Sequence, residues 1–154
     1  CPEKNIINRG FGGSQTSDLI QYLNRIVIKY NPKQVFIYEG ENDIADSKKS
    51  AEQVLNDFKT VFSKLRAHDK KVNIVFISIK PSPIRVKYTN EILKANELVK
   101  TFISSQKNAS YVDIYSKMLN KDGNIRPELY KEDNLHMKPE GYKIWNDAVR
   151  PYLK

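Results

Sequence analysis

A chain of 154 residues with 40% hydrophobic content can bury one sizeable core, so a single domain spanning 1–154 is the expectation. Its formal charge of +8 comes from lysines and arginines interleaved with acids, with no block of five like charges, and this reads as a solvated surface and argues against nucleic acid as a partner. The single cysteine, Cys1, excludes an internal disulfide and a cysteine-held zinc, no run of about 18 apolar residues could span a bilayer, and "CPEKNIIN" has no charged-then-apolar leader, so any targeting signal would lie outside this chain.

In chain order, "NIIN" (5–8) is a short apolar run of the kind buried strands use, and Leu19, Leu23, Ile26, Val27 and Tyr30 predict a helix over 16–30, ended by "NP". "KQVFIYE" (33–39) predicts a second strand. Residues 51–66 carry apolar side chains at intervals of three and four behind a Ser50/Gln53 capping box, the clearest helix in the chain. "VNIVFISI" (72–79) predicts a third strand, "KPSPIR" (80–85) a loop, 87–106 a helix and "SYVDIY" (110–115) a fourth strand. A last helix follows Pro139, which suits a first helical position, and carries Trp145, Ala148, Val149 and Tyr152. Strict β-α alternation implies a parallel sheet between two helical layers, an α/β/α fold whose ligands sit beyond the carboxyl ends of the strands.

Three stretches fall at those ends. "RGFGGS" (9–14) offers glycines before a helix, able to turn sharply and present bare N–H groups, although Gln15 stands where the dinucleotide fingerprint needs glycine; taken alone it also fits a plain strand-to-helix turn. "GEND" (40–43) places Asn42, a neutral donor suited to an oxyanion, at a strand end, where Asn42 or Asp43 could equally cap a helix. "DNLH" (133–136) pairs an acid with a histidine: a carboxylate on one ring nitrogen fixes the tautomer and frees the other as a base, and the competing reading is a surface-loop histidine. His68, in "RAHDKK", reads as solvated.

Together, "GEND" and "DNLH-x-x-P-x-G" make the chain resemble the SGNH (GDSL-type) hydrolases, serine esterases and acylhydrolases on a flavodoxin-like α/β/α fold. The resemblance runs over essentially the whole chain. It implies that Gly13 gives a backbone N–H to an oxyanion hole, that Asn42 gives its side-chain N–H, with Gly40 and Asp43 completing the G-x-N-D block, and that Asp133 orients the general base His136. It implies no metal and no cofactor, an ester of a lipid, sugar or small molecule as substrate, and a lean toward export. Oligomeric state is open.

The family's first block, a strand ending in G-D-S with the nucleophilic serine, has no counterpart here. About 30 residues of β-α unit would be needed to hold it ahead of "NIIN". In the flavodoxin-like order 2-1-3-4-5 that strand lies between the second and the third, so with "NIIN" as the second strand the chain lacks the middle of its own sheet and backbone groups are left unpaired. Ser14 follows Gly13 at a helix start, but "GFGGSQT" is not a nucleophile elbow, and capping suits it better; Ser17, Ser78 and Ser82 have no motif support. The expectation is therefore ester hydrolysis by Ser-His-Asp chemistry with the serine outside this chain. Two alternatives are a non-catalytic binding protein on the same fold and a phosphate or nucleotide binder using "RGFGGS". Phe11, Tyr38 and "KPSPIRVKY" are the candidate specificity elements, with Lys80, Arg85 and Lys87 either favouring an anionic substrate or simply solvated.

Overall fold

The computed structural model describes residues 5–154, which leaves Cys1 outside the described residues. Three parallel strands, β1 (Gln34–Ile37), β2 (Asn73–Ile77) and β3 (Ala109–Val112), pair in the order β1-β2-β3. Around them lie helices α1 (Thr16–Ile26), α2 (Glu41–Ala45), α3 (Ala51–His68), α4 (Thr89–Ser104) and α5 (Pro139–Val149). Successive side chains of a strand point to opposite faces, and β2 shows what that does here. Ile74 and Phe76 enter a core with Leu23 of α1, Phe58 and Val61 of α3 and Val99 of α4. Val75 and Ile77 enter a second core with Tyr130, Met137 and Ala148 of α5. The result is the α/β/α arrangement expected, with β2 buried along its whole length.

α3 forms where its pattern predicts. Ser50 Oγ accepts from Gln53 N at 3.3 Å while Gln53 Oε1 accepts from Ser50 N at 2.8 Å, closing the capping box. Its inward row, Val54, Phe58, Val61, Phe62 and Leu65, is buried, each such side chain contributing about 1.5–3 kcal/mol of transfer free energy. α1 is shorter than predicted. Val27, at φ −125° and ψ −64°, leaves the helical region, a 3-10 turn covers Ile28–Tyr30, and Asn31 is left-handed at φ 46°. The β-branched run Ile26-Val27-Ile28 propagates a helix poorly, and Pro32 disfavours a helical Asn31.

The expected first strand does not form. Residues 5–8 adopt no regular structure, and Ile6 and Ile7 stand 60% and 54% exposed. A strand exists only through its neighbours, and β1 pairs with β2 on one side alone. Asn73 N donates to Lys33 O at 3.0 Å, which turns the carbonyl of Lys33 toward β2. Alternation then turns the backbone N–H and C=O of Val35 and Ile37 toward β2 as well, and those of Gln34 and Phe36 toward the unpaired edge. α2 begins within "GEND", read above as a strand end with a possible helix cap, and residues 83–88, expected to divide between loop and helix, form a 3-10 segment leading into α4.

Candidate active site

The site is built where the chain leaves β1. Gly40 turns it at φ 111°, and a Cβ there would lie 2.7 Å from Ile79 Cδ1, so both conformation and space require glycine. The turn opens α2, whose Asp43 is fully buried. Asp43 accepts from Thr16 N at 3.1 and 3.2 Å, from Thr16 Oγ1 at 3.3 Å and from Lys49 Nζ at 2.8 Å. A carboxylate at a helix N-terminus is favourable, and this one ties the start of α1 to α2. The amide of Gln15 is likewise taken by Asp18 Oδ2, at 3.0 Å. Acids thus occupy the Gln15 and Thr16 amides at the start of α1 and set negative charge beside "RGFGGS", which disfavours a phosphate at that helix end.

With α1 held there, Asn42 Nδ2 donates to Ser14 O at 2.9 Å, one residue from Gly13. Gly13 is exposed, left-handed at φ 74°, and its N–H has no partner among the described residues. The two expected oxyanion donors are therefore neighbours. Ser14 Oγ donates to Glu39 Oε1 at 2.8 Å. Burial raises the Glu39 carboxyl to about 7, with the Ser14 hydrogen bond pulling the other way and Asp43 and Asp18 adding to the rise.

The acid and base stand on a short loop pinned at both ends. Tyr130 and Met137 are buried and form an antiparallel bridge, and Lys131 N donates to His136 O at 2.8 Å. Inside, Asn134 turns at φ 57°. Asp133 Oδ1 accepts from Leu135 N at 2.9 Å and His136 N at 2.8 Å, and Oδ2 lies 2.7 Å from His136 Nδ1. Those two backbone donors, then the imidazole, hold the Asp133 carboxyl down to about 2. An ionised carboxylate can only accept, so the proton belongs on Nδ1 and the lone pair on Nε2. The His136 and Asp133 side chains are 67% and 48% exposed, and Nε2 has no partner among the described residues.

A third segment was not foreseen as part of this machinery. Lys80, Ser82 and Arg85 are at most 9% exposed, neither solvated nor free to meet a substrate. Lys80 Nζ donates to Glu41 Oε1 at 2.8 Å and to Ser82 Oγ at 2.6 Å, Ser82 Oγ donates to Glu41 Oε1 at 2.7 Å, and Tyr38 OH donates to Glu41 Oε2 at 2.6 Å. Burial lowers the Lys80 ammonium, an effect Glu41 opposes, and burial followed by the Glu41 charge raises the Tyr38 phenol. Arg85 Nη2 donates to Asn42 Oδ1 at 2.9 Å. The same loop meets the histidine loop: Ile84 N donates to Asn134 O at 3.3 Å, and Tyr130 OH donates to Pro81 O. The one signal in the sequence was Glu41 itself, a charge between an apolar strand and an apolar helix, which needs a buried partner.

The remaining candidates lie elsewhere. Ser78 Oγ accepts from Ile114 N at 2.9 Å and Tyr115 N at 3.0 Å, which fixes the chain beyond β3, and His68 is exposed against Asn31 Oδ1 at 2.9 Å. Phe11 is 48% exposed beside the site glycines. Among the described residues no group of His, Cys, Asp and Glu is placed to hold a metal, and no helix is long and apolar enough to cross a membrane.

Comparison with known proteins points the same way. The profile of the GDSL-like Lipase/Acylhydrolase family matches residues 2–144. Among solved structures, a Streptococcus pneumonia protein described as a platelet activating factor superposes with a TM-score of 0.87 at 22% identity, over 99% of this chain and 74% of its own. A Bacteroides fragilis protein described as an acylhydrolase gives 0.82 at 21%, over 95% and 73%, and a carbohydrate esterase family 3 protein from Talaromyces cellulolyticus gives 0.78 at 16%, over 99% and 75%. No curated protein matches. At identities this low the superpositions establish the shared fold alone.

Proposed function

Since the chain belongs to the GDSL-like lipase/acylhydrolase family, a family of ester hydrolases, we propose that it carries the base, the orienting acid and two oxyanion donors of a serine hydrolase acting on carboxylic esters. The observation that carries this reading is the Asp133–His136 pair, 2.7 Å between Oδ2 and Nδ1 with Nε2 left open. In the reaction, His136 Nε2 takes the proton of an attacking serine hydroxyl as its oxygen bonds to the ester carbonyl carbon. The imidazolium, stabilised by Asp133, gives that proton to the departing alkoxide, leaving an acyl-enzyme and a free alcohol. Water then attacks with His136 again as base, and the carboxylic acid and serine are released. Through both steps the carbonyl oxygen carries negative charge, which the Gly13 N–H and the Asn42 Nδ2–H are proposed to hold.

The serine is the missing party. Ser14, Ser78 and Ser82 each spend their hydroxyls on Glu39, on backbone amides and on Glu41. We propose that the nucleophile arrives on a further parallel strand paired to the open edge of β1, between β1 and residues 5–8, the single domain being completed that way. What supports this is the unpaired edge, the exposure of Ile6 and Ile7, and the geometry of a parallel neighbour, whose carboxyl end would emerge beside Glu39–Asn42. The chain without that strand should bind esters but not turn them over. An ester of an aryl alcohol, a lipid or a sugar would each satisfy this chemistry, so the substrate class proposed is a carboxylic ester in the broad sense.

A test is to express the complete gene product, measure hydrolysis of p-nitrophenyl acetate, and treat it with a fluorophosphonate. The expected result is turnover abolished by labelling of one serine, and lost in His136→Ala. Turnover that survives His136→Ala would remove the proposed base. Ester binding with neither turnover nor labelling would favour a non-catalytic binding protein, a reading to which the engaged hydroxyls of Ser14, Ser78 and Ser82 lend support.

A further inference from the structure

The Asn42 amide has two ends, and only one of them can serve an oxyanion. Rotating the side-chain amide by half a turn exchanges carbonyl and NH₂ with little change in shape, so the end that faces the reaction must be set by what lies behind it. Behind it lies Arg85. Its Nη2 donates to Asn42 Oδ1 at 2.9 Å. A guanidinium has donors and no acceptor, so it can meet only the carbonyl end. A flipped amide would set N–H against N–H at a buried site, where Arg85 Nη1 already lacks a hydrogen-bond partner.

At the other end, Ser14 O takes one of the two Nδ2 protons at 2.9 Å, which leaves the second for another acceptor. Arg85 is itself held from several directions. Nη1 lies 3.4 Å from Glu41 Oε1 and Nη2 lies 3.4 Å from Asp46 Oδ2, and Glu41 is fixed in turn by Lys80, Ser82 and Tyr38. The side chain of Arg85 is 10% exposed, as is that of Glu41, so water is a poor substitute for either.

We infer that Arg85 is a positioning residue for catalysis: by donating to Asn42 Oδ1 it fixes the amide orientation in which Nδ2 faces the oxyanion, with the buried Glu41 cluster holding the guanidinium in place. The inference rests on the proposed oxyanion role of Asn42. It assigns "KPSPIR" to transition-state stabilisation, in place of substrate recognition. Arg85 touches no reacting atom, and its effect passes through Asn42 alone.

That exclusivity is measurable with a double-mutant cycle on the complete gene product, following p-nitrophenyl acetate hydrolysis. Asn42→Ala is expected to lower kcat by about 10²–10³-fold. Arg85→Gln is expected to lower kcat about tenfold or more with KM changed less than about threefold, because an interaction made only in the transition state is weakened. In the Asn42→Ala background, Arg85→Gln should then change kcat by less than about twofold, and Arg85→Lys should restore part of the rate in the native background. Equal losses in both backgrounds would place the action of Arg85 somewhere other than Asn42 and overturn the inference. An unchanged kcat in Asn42→Ala would instead overturn the oxyanion role on which it rests. Should Arg85→Gln unfold, as thermal unfolding would reveal, Arg85→Lys in the two backgrounds makes the same comparison with the charge kept.

Discussion

Two carboxyls near the site are pushed in opposite directions by their surroundings. Asp133 is solvent-facing and satisfied by two backbone amides and an imidazole, and its pKa falls from an ordinary 3.8 to about 2. A depressed carboxyl contributes its stabilisation above the ordinary value and loses it as pH falls through the folded one. The loop geometry should therefore persist at pH 4, and no limb of the rate profile above about pH 3 should belong to Asp133. Asp133→Asn should keep the fold and lower turnover by up to about 10⁴-fold, because an amide N–H facing Nδ1 drives the ring proton onto Nε2; turnover within a few-fold of the parent would remove Asp133 from the reaction. Glu39 goes the other way, from an ordinary 4.5 to about 7 through burial. Its protonated form is favoured in the folded chain, so the stability it contributes is complete below 4.5 and lost as pH rises through about 7. Glu39→Gln should therefore raise the melting temperature at pH 8 and match the parent near pH 4. Parallel pH curves for the two proteins would contradict this.

Among the elements, what local sequence could reveal depended on where the stabilising partners lay. α3 was legible because its cap, Ser50 with Gln53, and its apolar row are all within the segment. α2 was not, because the five residues of α2 follow a glycine at φ 111° and are held by contacts to Thr16, Lys49 and Lys80. The apolar character of "NIIN" was real, but pairing needs a neighbour that β1 does not receive here. The Asp133–His136 contact and the closeness of Asn42 to Gly13, residues proposed as acid, base and oxyanion donors, follow segments singled out by motif, whereas the burial of Arg85 was not legible, since a lysine- and arginine-rich stretch ordinarily signals solvent. Gly40 shows how tightly one element can constrain another. Gly40→Ala should destabilise by about 1–3 kcal/mol through overpacking against Ile79 and Val54, with the strain of a left-handed alanine in addition. An unchanged urea midpoint would mean that Ile79 moves aside freely.

For the molecule as a whole, β1 and β3 are both edge strands among the described residues, and the edge of β1 is the one beside the candidate site. The amide of Ile37 faces β2 while that of Phe36 faces the unpaired side, as the alternation from Lys33 dictates. In this chain the Phe36 amide should exchange with solvent far faster than that of Ile37, and in the complete gene product the two should be comparably protected. Equal protection in the chain alone would mean that the edge is already covered, and the proposed extra strand would have no place to pair.

The pairing β1-β2-β3 also carries a temporal meaning. The three strands, α3 and α4 lie within the continuous stretch 34–112, so their contacts close short loops and cost little chain entropy. Gly13, Asn42 and His136, by contrast, span almost the whole chain. The expected order is that the central stretch condenses first and that the histidine loop, clamped by Tyr130 and Met137, docks onto it afterwards, which pulse-labelled exchange during refolding would display as late protection of Lys131. A newly made chain would then pass through a compact state in which the fold is largely present and the chemistry is not.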